Sequence, residues 1–470
     1  MHVGSVASAS STSALQQQST RGAIFVCVLG ALAGLMFGLD IGVISGAVQF
    51  IQKDFGIGDH EIEWIVSAMM LGAAIGALGV GWMSQRLGRK RSLILGATLF
   101  LAGSLMCAAA ASPSILIAAR LVLGLAIGIA AFAAPLYLAE VAPEHVRGAM
   151  ISLYQLMITI GIFVAFLSDT AFSYSGSWRW MLGVIVVPGI LFLVGVLFLP
   201  ESPRWLLMRG FDKDALDVLR RLRGDEAAAE REANSIFEQL RQPQVGWQMF
   251  RENSNFRRSV CLGVLLQLMQ QFTGMNVVMY YAPRIFENMG YATTAQLWFT
   301  AAVGLTNVLA TFIAIAFVDK LGRKPILYAG FVVMALGLGA VGTMMYIGIG
   351  THGQQMFSVT MLLLFIVGFA MSAGPLVWTL CSEIQPLKGR DFGIGCSTVT
   401  NWVANMIVGF TFLSLLNGIG SPATFWLYAA LNLLFVILTF VFVPETKGKT
   451  LEQIERNLMS GRRLRDIGRD

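Results

Sequence analysis

Charge is scarce in this chain of 470 residues: Asp, Glu, Lys and Arg together make up 13%, against 56% hydrophobic residues. Soluble globular domains carry about 25% charged residues, so an ordinary soluble fold is excluded. Histidine is scarcer still. His2, His60, His145 and His352 lie in the tail or in connecting segments, without Cys or acid ligands at metal spacing, so no metal is expected. The five cysteines (Cys27, Cys107, Cys261, Cys381, Cys396) fall inside apolar runs with no CxxC, and they read as small buried hydrophobes. A phosphate loop of the form G-x-x-x-x-G-K-[ST] is missing, and no catalytic constellation stands out. An enzyme and an ATP-driven pump are therefore set aside, and no cofactor is expected. The +6 net charge comes from Lys and Arg in short loops between apolar runs, a pattern of membrane topology and not of nucleic-acid binding.

What the chain does have is apolar runs long enough to cross a bilayer, which takes about 20 residues of helix. They fall near 23–50, 62–84, 92–111, 114–139, 148–172, 179–199, 259–283, 295–318, 326–349, 356–382, 391–416 and 423–443. Connections 86–91, 140–147, 200–258, 319–324 and 383–390, with the tail after Pro444, are rich in Lys and Arg, whereas the intervening ones are not. The positive-inside rule makes the basic set cytoplasmic and places both termini inside, which requires an even number of spans; twelve satisfies it. Residues 1–20, mostly Ser, Ala and Gln, are expected to form a disordered tail. The first run is too long for a signal peptide, so it stays in the protein.

Residues 200–258 are charged and helically periodic, which predicts a cytoplasmic helical linker between a first bundle (21–199) and a second (259–444), followed by a tail (445–470). The halves repeat one another. RLGRKR after the second span matches DKLGRK after the eighth; Glu140 and Arg147 match Glu383 and Arg390 at the same spacing of seven; PESPRW matches PETKGK. Three matched pairs in one order predict a six-plus-six duplication.

The stretch Gln270–Pro283, QQFTGMNVVMYYAP, sets amides, a threonine and two phenols inside an apolar run. Neutral hydrogen-bonding groups are costly in hydrocarbon unless they face protein, water or ligand. Without charge they suit a neutral, polyhydroxylated ligand. On a straight helix Gln270, Thr273, Asn276, Tyr280 and Tyr281 share one arc and Gln271 lies off it. Either Gln271 serves a neighbouring helix or the helix bends, and Gly274 with Pro283 offers the means. Asp40, in the first span, and Arg120, in the fourth, are charges inside apolar runs, and such charges are functional by default. Counted at about 1.5 Å per residue from the outer ends, they reach similar depths and can meet. Gly38, Gly42 and Gly46 form a small-residue seam for close helix packing.

RLGRKR, PESPRWL, QQFTGMN and PETKG together resemble the sugar-porter branch of the major facilitator superfamily, over all of the chain after residue 20. The resemblance implies an all-α membrane protein of the major facilitator fold: 12 transmembrane helices in two six-helix halves joined by the cytoplasmic linker. It implies a proton-coupled hexose importer, for galactose or glucose, in the bacterial inner membrane, monomeric, with sugar, proton and membrane lipid as its partners. A passive uniporter and a drug or organic-ion antiporter are the alternatives. By resemblance the sugar site comprises Gln155, Gln270, Gln271, Asn276, Tyr280, Asn307, Gly374, Trp378 and Asn401, with Phe37 lining the cavity; taken singly, each amide could equally be an interhelical hydrogen bond and Phe37 a core or lipid-facing residue. Ile162, where a xylose-carrying member has another glutamine, weighs toward a hexose. Asp40 with Arg120 carries proton coupling, unless the two form a permanent structural pair. Arg86, Arg89, Glu140, Arg147, Glu201, Arg204, Arg323, Glu383, Arg390 and Glu445 are expected as a cytoplasmic gate network that bridges the halves when that side is shut and breaks when it opens, the alternative being simple anchoring of helix ends. Gln85 departs from the family pattern, which has Asp there.

Overall fold

The computed structural model describes the backbone of residues 4–143, 146–240 and 245–469; the side chains of 4–21, 23, 147, 318 and 319 are outside the description. A backbone in hydrocarbon must satisfy its own N–H and C=O groups, and an apolar chain does so as helix. The first six spans are α1 (Gly4–Phe55), α2 (Asp59–Leu87), α3 (Arg89–Ala108), α4 (Pro113–Val141), α5 (Arg147–Ser173) and the pair α6 (Trp178–Gly183) and α7 (Val186–Phe198). The linker folds as α8 (Pro203–Met208), α9 (Asp212–Arg223), α10 (Glu226–Leu240) and α11 (Gly246–Glu252). The second half contains α12 (Ser254–Phe272), α13 (Met275–Asn288), α14 (Thr293–Leu321), α15 (Arg323–Ile347), α16 (His352–Met371), α17 (Ala373–Glu383), α18 (Arg390–Ile419) and α19 (Ser421–Phe442), and α20 (Leu451–Met459) follows.

Among the described residues, 11 stretches are long and apolar enough to cross a bilayer as helices. The twelfth is span seven, α12 followed by α13, which escapes that test because Gly274 interrupts it at φ +91° and ψ 6°. The expectation of twelve spans and a helical linker therefore stands, and the chain is a multi-pass membrane protein. Of the expected tail over residues 1–20, residues 1–3 and all side chains lie outside the described residues, and the backbone of α1 is helical from Gly4. Two cysteines depart from the expected burial: Cys261 is exposed on α12 and Cys396 is half-buried on α18, since a small apolar thiol suits a lipid-facing surface as well as a core.

Small residues set the closest helix contacts. A Cβ on Gly38 would run into the Ile158 carbonyl of α5, and one on Gly42 into the Cβ of Ala165. Gly72 and Gly124 bring α2 and α4 together in the same way. Between the halves, α2 lies along α18 and α5 along α14. At the end away from the basic connections the halves are joined. Gln49 Nε2 donates to Gln296 Oε1 at 2.8 Å, Asn417 Nδ2 to Asp59 Oδ2 at 2.8 Å, and the Trp64 and Phe410 rings meet at 4.9 Å. That end is shut.

The linker has its own small core of Trp205, Leu206, Ala215, Leu219 and Ala229. It is tied to the first half by Trp205 Nε1 donating to the Gln85 carbonyl at 2.8 Å and by Arg223 Nη1 donating to the Val141 carbonyl at 3.0 Å. The side chain of Gln85 is exposed, so position 85 contributes its backbone here.

Gly274→Ala should cost roughly 1–3 kcal/mol, because the backbone is left-handed there and the new Cβ would stand 3.0 Å from the Tyr428 ring. Thermal unfolding in detergent should show a lowered Tm, whereas Gly395→Ala, inside α18 and with nothing for its Cβ to meet, should leave it unchanged or slightly raised.

Candidate functional site

The site grows from the interruption at Gly274. Ending α12 there and restarting as α13 turns Gln271 back toward the new helix. Its Oε1 accepts from Asn276 Nδ2, and its Nε2 donates to Gln270 Oε1 at 3.3 Å. The helix therefore bends, which resolves the alternative left open by the sequence. Thr273 Oγ1 donates to the Gln270 carbonyl at 2.7 Å, and Asn432 Nδ2 to the Thr273 carbonyl at 3.0 Å, so the freed backbone is satisfied within the protein.

A second interruption faces the first. Span ten breaks at Ser372 (φ −128°, ψ −91°) between α16 and α17. Gln270 Nε2 reaches across to donate to the carbonyls of Ala373 at 2.8 Å and Gly374 at 3.0 Å. From α18, Asn401 Nδ2 donates to Gln270 Oε1 at 2.8 Å and to Gln267 Oε1 at 2.7 Å. Four expected residues, Gln270, Gln271, Asn276 and Asn401, thus belong to one chain of neutral amides with Gly374 at its edge. Each amide both donates and accepts, so the same set can exchange its internal bonds for the hydroxyl groups of a ligand.

The remaining expected residues are distributed around this chain. Tyr280 is fully buried and bonded instead to Asn405, whose Nδ2 donates to its phenol oxygen at 3.1 Å; the adjacent Tyr281 donates to the Gly409 carbonyl at 2.9 Å. Both phenols fasten α13 to α18. Gln155 on α5 is half-buried, Asn307 on α14 is buried, and Trp378 on α17 is exposed; all three lie outside the bonded amide chain.

Asp40 and Arg120 do meet. Arg120 Nη1 stands 2.7 Å from Asp40 Oδ1, with both side chains wholly buried, and Arg120 Nε reaches the Ile65 carbonyl at 3.4 Å. Among the described residues, the second oxygen of Asp40 and Nη2 of Arg120 have no hydrogen-bond partner. An ion pair that leaves one atom unmatched on each side is poorly compensated for its desolvation. Phe37, one turn before Asp40, meets the Trp402 ring at 5.4 Å, which rules out a lipid-facing Phe37. Trp402 neighbours Asn401 on α18, so a single aromatic contact links the charged pair of the first half to the amide chain of the second.

At the basic end the expected gate residues separate into two matching clusters. Arg89 makes a two-pronged pair with Glu140 at 2.9 Å, while Glu201 accepts from the N–H groups of Arg89 and Lys90 at 2.9 and 3.0 Å. In the second half Arg323 pairs with Glu383 at 3.0 Å, and Glu445 accepts from the N–H groups of Arg323 and Lys324 at 3.1 and 3.0 Å. Arg86 instead lies over Trp82, Arg204 Nη1 donates to Gln239 and Arg390 Nη2 to the Gln385 carbonyl. The side chain of Arg147 is outside the described residues. These pairs join elements of one half; the expected bridge between the halves belongs to a form shut at this end.

Several residues of the site escaped the sequence reading. Gln267 lies three before Gln270 and Asn405 four after Asn401, a helical spacing that places each on the same face as a residue already singled out. Glu63 and Asp169 are acids inside apolar runs, the very signal that identified Asp40. Trp402 carried no signal beyond its neighbour.

Comparison with known proteins agrees with this geometry. The sequence model of the family "Sugar (and other) transporter" matches residues 26–458. The chain is 65% identical to the galactose-proton symporter of Escherichia coli K12, covering 94% of this chain and 96% of that one. It is 59% identical to the arabinose-proton symporter of the same strain, covering 95% of each. Among solved structures it resembles the E. coli xylose transporter XylE in a partially occluded inward open conformation, with a TM-score of 0.81, 29% identity and coverage of 91% of this chain and 99% of that one. It also resembles XylE, a proton:xylose symporter, bound to 6-bromo-6-deoxy-D-glucose, with a TM-score of 0.77, 30% identity and coverage of 92% and 98%.

Arg120→Ala should destabilise the protein by roughly 3–5 kcal/mol, since it strands the Asp40 carboxylate in the interior. Adding Asp40→Asn to that variant should restore much of the loss, which thermal unfolding of the four proteins of this cycle would measure.

Proposed function

The chain belongs to the sugar (and other) transporter family, and on that basis we propose that it is a proton-coupled hexose symporter, taking up galactose or glucose by alternating access. The observation that carries the proposal is the adjacency of two unlike sites. A chain of neutral amides suited to hydroxyl groups lies on the second half, and a buried, imperfectly matched Asp40–Arg120 pair lies on the first, joined through Phe37 and Trp402. In this reading the sugar takes hydrogen bonds from Gln270, Gln271, Asn276 and Asn401, and Gln155, Asn307 and Trp378 close around it from α5, α14 and α17. Tyr280 steadies α13 against α18.

Asp40 is the proton carrier. The Arg120 guanidinium favours the carboxylate and burial favours the neutral acid, so small movements of α1 against α4 suffice to bind or release a proton. When Asp40 is neutral its attraction to Arg120 is lost, and the first half is free to rearrange around bound sugar. The Arg89–Glu140–Glu201 and Arg323–Glu383–Glu445 clusters stiffen the two bundles at the cytoplasmic gate. The basic connections face the cytoplasm with both termini inside, as the positive-inside rule requires, in a bacterial inner membrane. The site is complete within one chain, which suits a monomer.

The 59% identity to an arabinose-proton symporter supports a second reading in which the sugar is a pentose. Uptake of labelled galactose, glucose and arabinose into energised vesicles decides between them. An uncoupler should abolish accumulation of the true substrate, and sugar addition should make the medium more alkaline. Asp40→Asn should lose accumulation while keeping sugar exchange; a variant that still concentrates sugar against a gradient removes Asp40 from the coupling role.

A further inference from the structure

Glu63 is a carboxylate wholly buried in the structure, and its bonds run to the other half of the molecule. Its Oε1 accepts from the backbone N–H of Ser414 at 2.7 Å and its Oε2 from the Ser414 hydroxyl at 2.7 Å. Glu63 is on α2 and Ser414 on α18, so one side chain of the first bundle takes both donors of a single residue of the second. One turn earlier on α2, Asp59 accepts from Asn417 at 2.8 Å and lies 3.7 Å from Arg284 of α13. Positions 59 and 63 share a helix face. His60, largely exposed, approaches Glu63 at 3.7 Å. Below this seam a small pocket is lined by Ser45, Gln49, Gln52, Tyr281 and Leu413.

We infer that Glu63 is a positioning residue of the transport cycle: in its ionised form it bolts α2 to α18 and holds the far end shut while the basic end is open. The inference rests on the alternating-access reading above. Its physical basis is the pairing of acceptors with donors. A carboxylate presents two acceptor oxygens to two donors, and hydrogen bonds to a charged group are roughly twice as strong as neutral ones. When the bundles part at this end, water replaces Ser414 around the carboxylate, so the open form is accessible; when they close, both oxygens are satisfied at once. An amide of the same shape holds the seam more weakly. Gln keeps an oxygen for the Ser414 N–H and turns its NH2 to the Ser414 hydroxyl, so two bonds to a charged acceptor become two neutral ones of about half the strength.

The test uses a cysteine at Ser45→Cys, beneath the seam, in the full-length protein in detergent or nanodiscs. Its labelling by a maleimide is read by peptide mass spectrometry against a second cysteine at Glu230→Cys, exposed on the linker helix α10, in the same molecule. The parent should label slowly at position 45. Adding Glu63→Gln, which weakens both bonds, should raise that rate several-fold without changing the rate at position 230, and Ser414→Ala, which removes one of the two, should raise it as well. Labelling of buried Cys27 or Cys381 would reveal unfolding of the Gln variant, in which case the Ser414→Ala comparison decides. An unchanged rate at position 45 in a folded variant overturns the inference. Saturating D-galactose or L-arabinose, added separately, should shift the parent's rate if the chain carries either sugar. Failure of that arm alone counts against the function proposed above, since the Glu63 comparison is made without sugar.

Discussion

Hydrocarbon offers no hydrogen bonds, and nearly everything distinctive in this molecule follows from how it answers that demand around Gly274. A continuous helix would have closed every backbone bond of span seven and left its glutamines pointing in several directions. Stopping the helix at a left-handed glycine releases backbone groups, and these are met by Thr273 and Asn432 from inside the protein. The same stop aims Gln270, Gln271 and Asn276 at one another and at the facing interruption of span ten. The polar interior is thus a set of groups that satisfy each other, and the proposed function rests on their trading those bonds for a ligand's.

The two halves handle polarity differently although they share an ancestry visible in their matched loops. The first half buries charged groups, the Asp40–Arg120 pair with Glu63 and Asp169, while span seven and α18 of the second bury neutral amides and phenols. Phe37, one turn from Asp40, and Trp402, next to Asn401, bring the two kinds of group within one aromatic contact of each other across the bundles, and the proposed coupling of a proton to a neutral solute rests on that adjacency.

Much of this was legible in the sequence because the bilayer simplifies the code. Span number, the linker, the duplication, and the meeting of Asp40 with Arg120 follow from the lengths of apolar runs and the rarity of charge. Gly274 offered the means of a bend, while the off-arc placement of Gln271 left a neighbouring helix as the other explanation. What the residues could not announce was partnership across the bundles. Nothing local says that Tyr280 turns to Asn405 and leaves the amide chain, or that Glu63 finds Ser414 some 351 positions away. The basic-end charges illustrate the same limit: their duplicated spacing identified them as a set, but only coordinates distinguish a bridge between bundles from two copies of a brace within each.

That distinction has a mechanical consequence. Because the Arg89–Glu140 and Arg323–Glu383 pairs each lie within one bundle, neither is a bond that the bundles would have to break in order to part on that side.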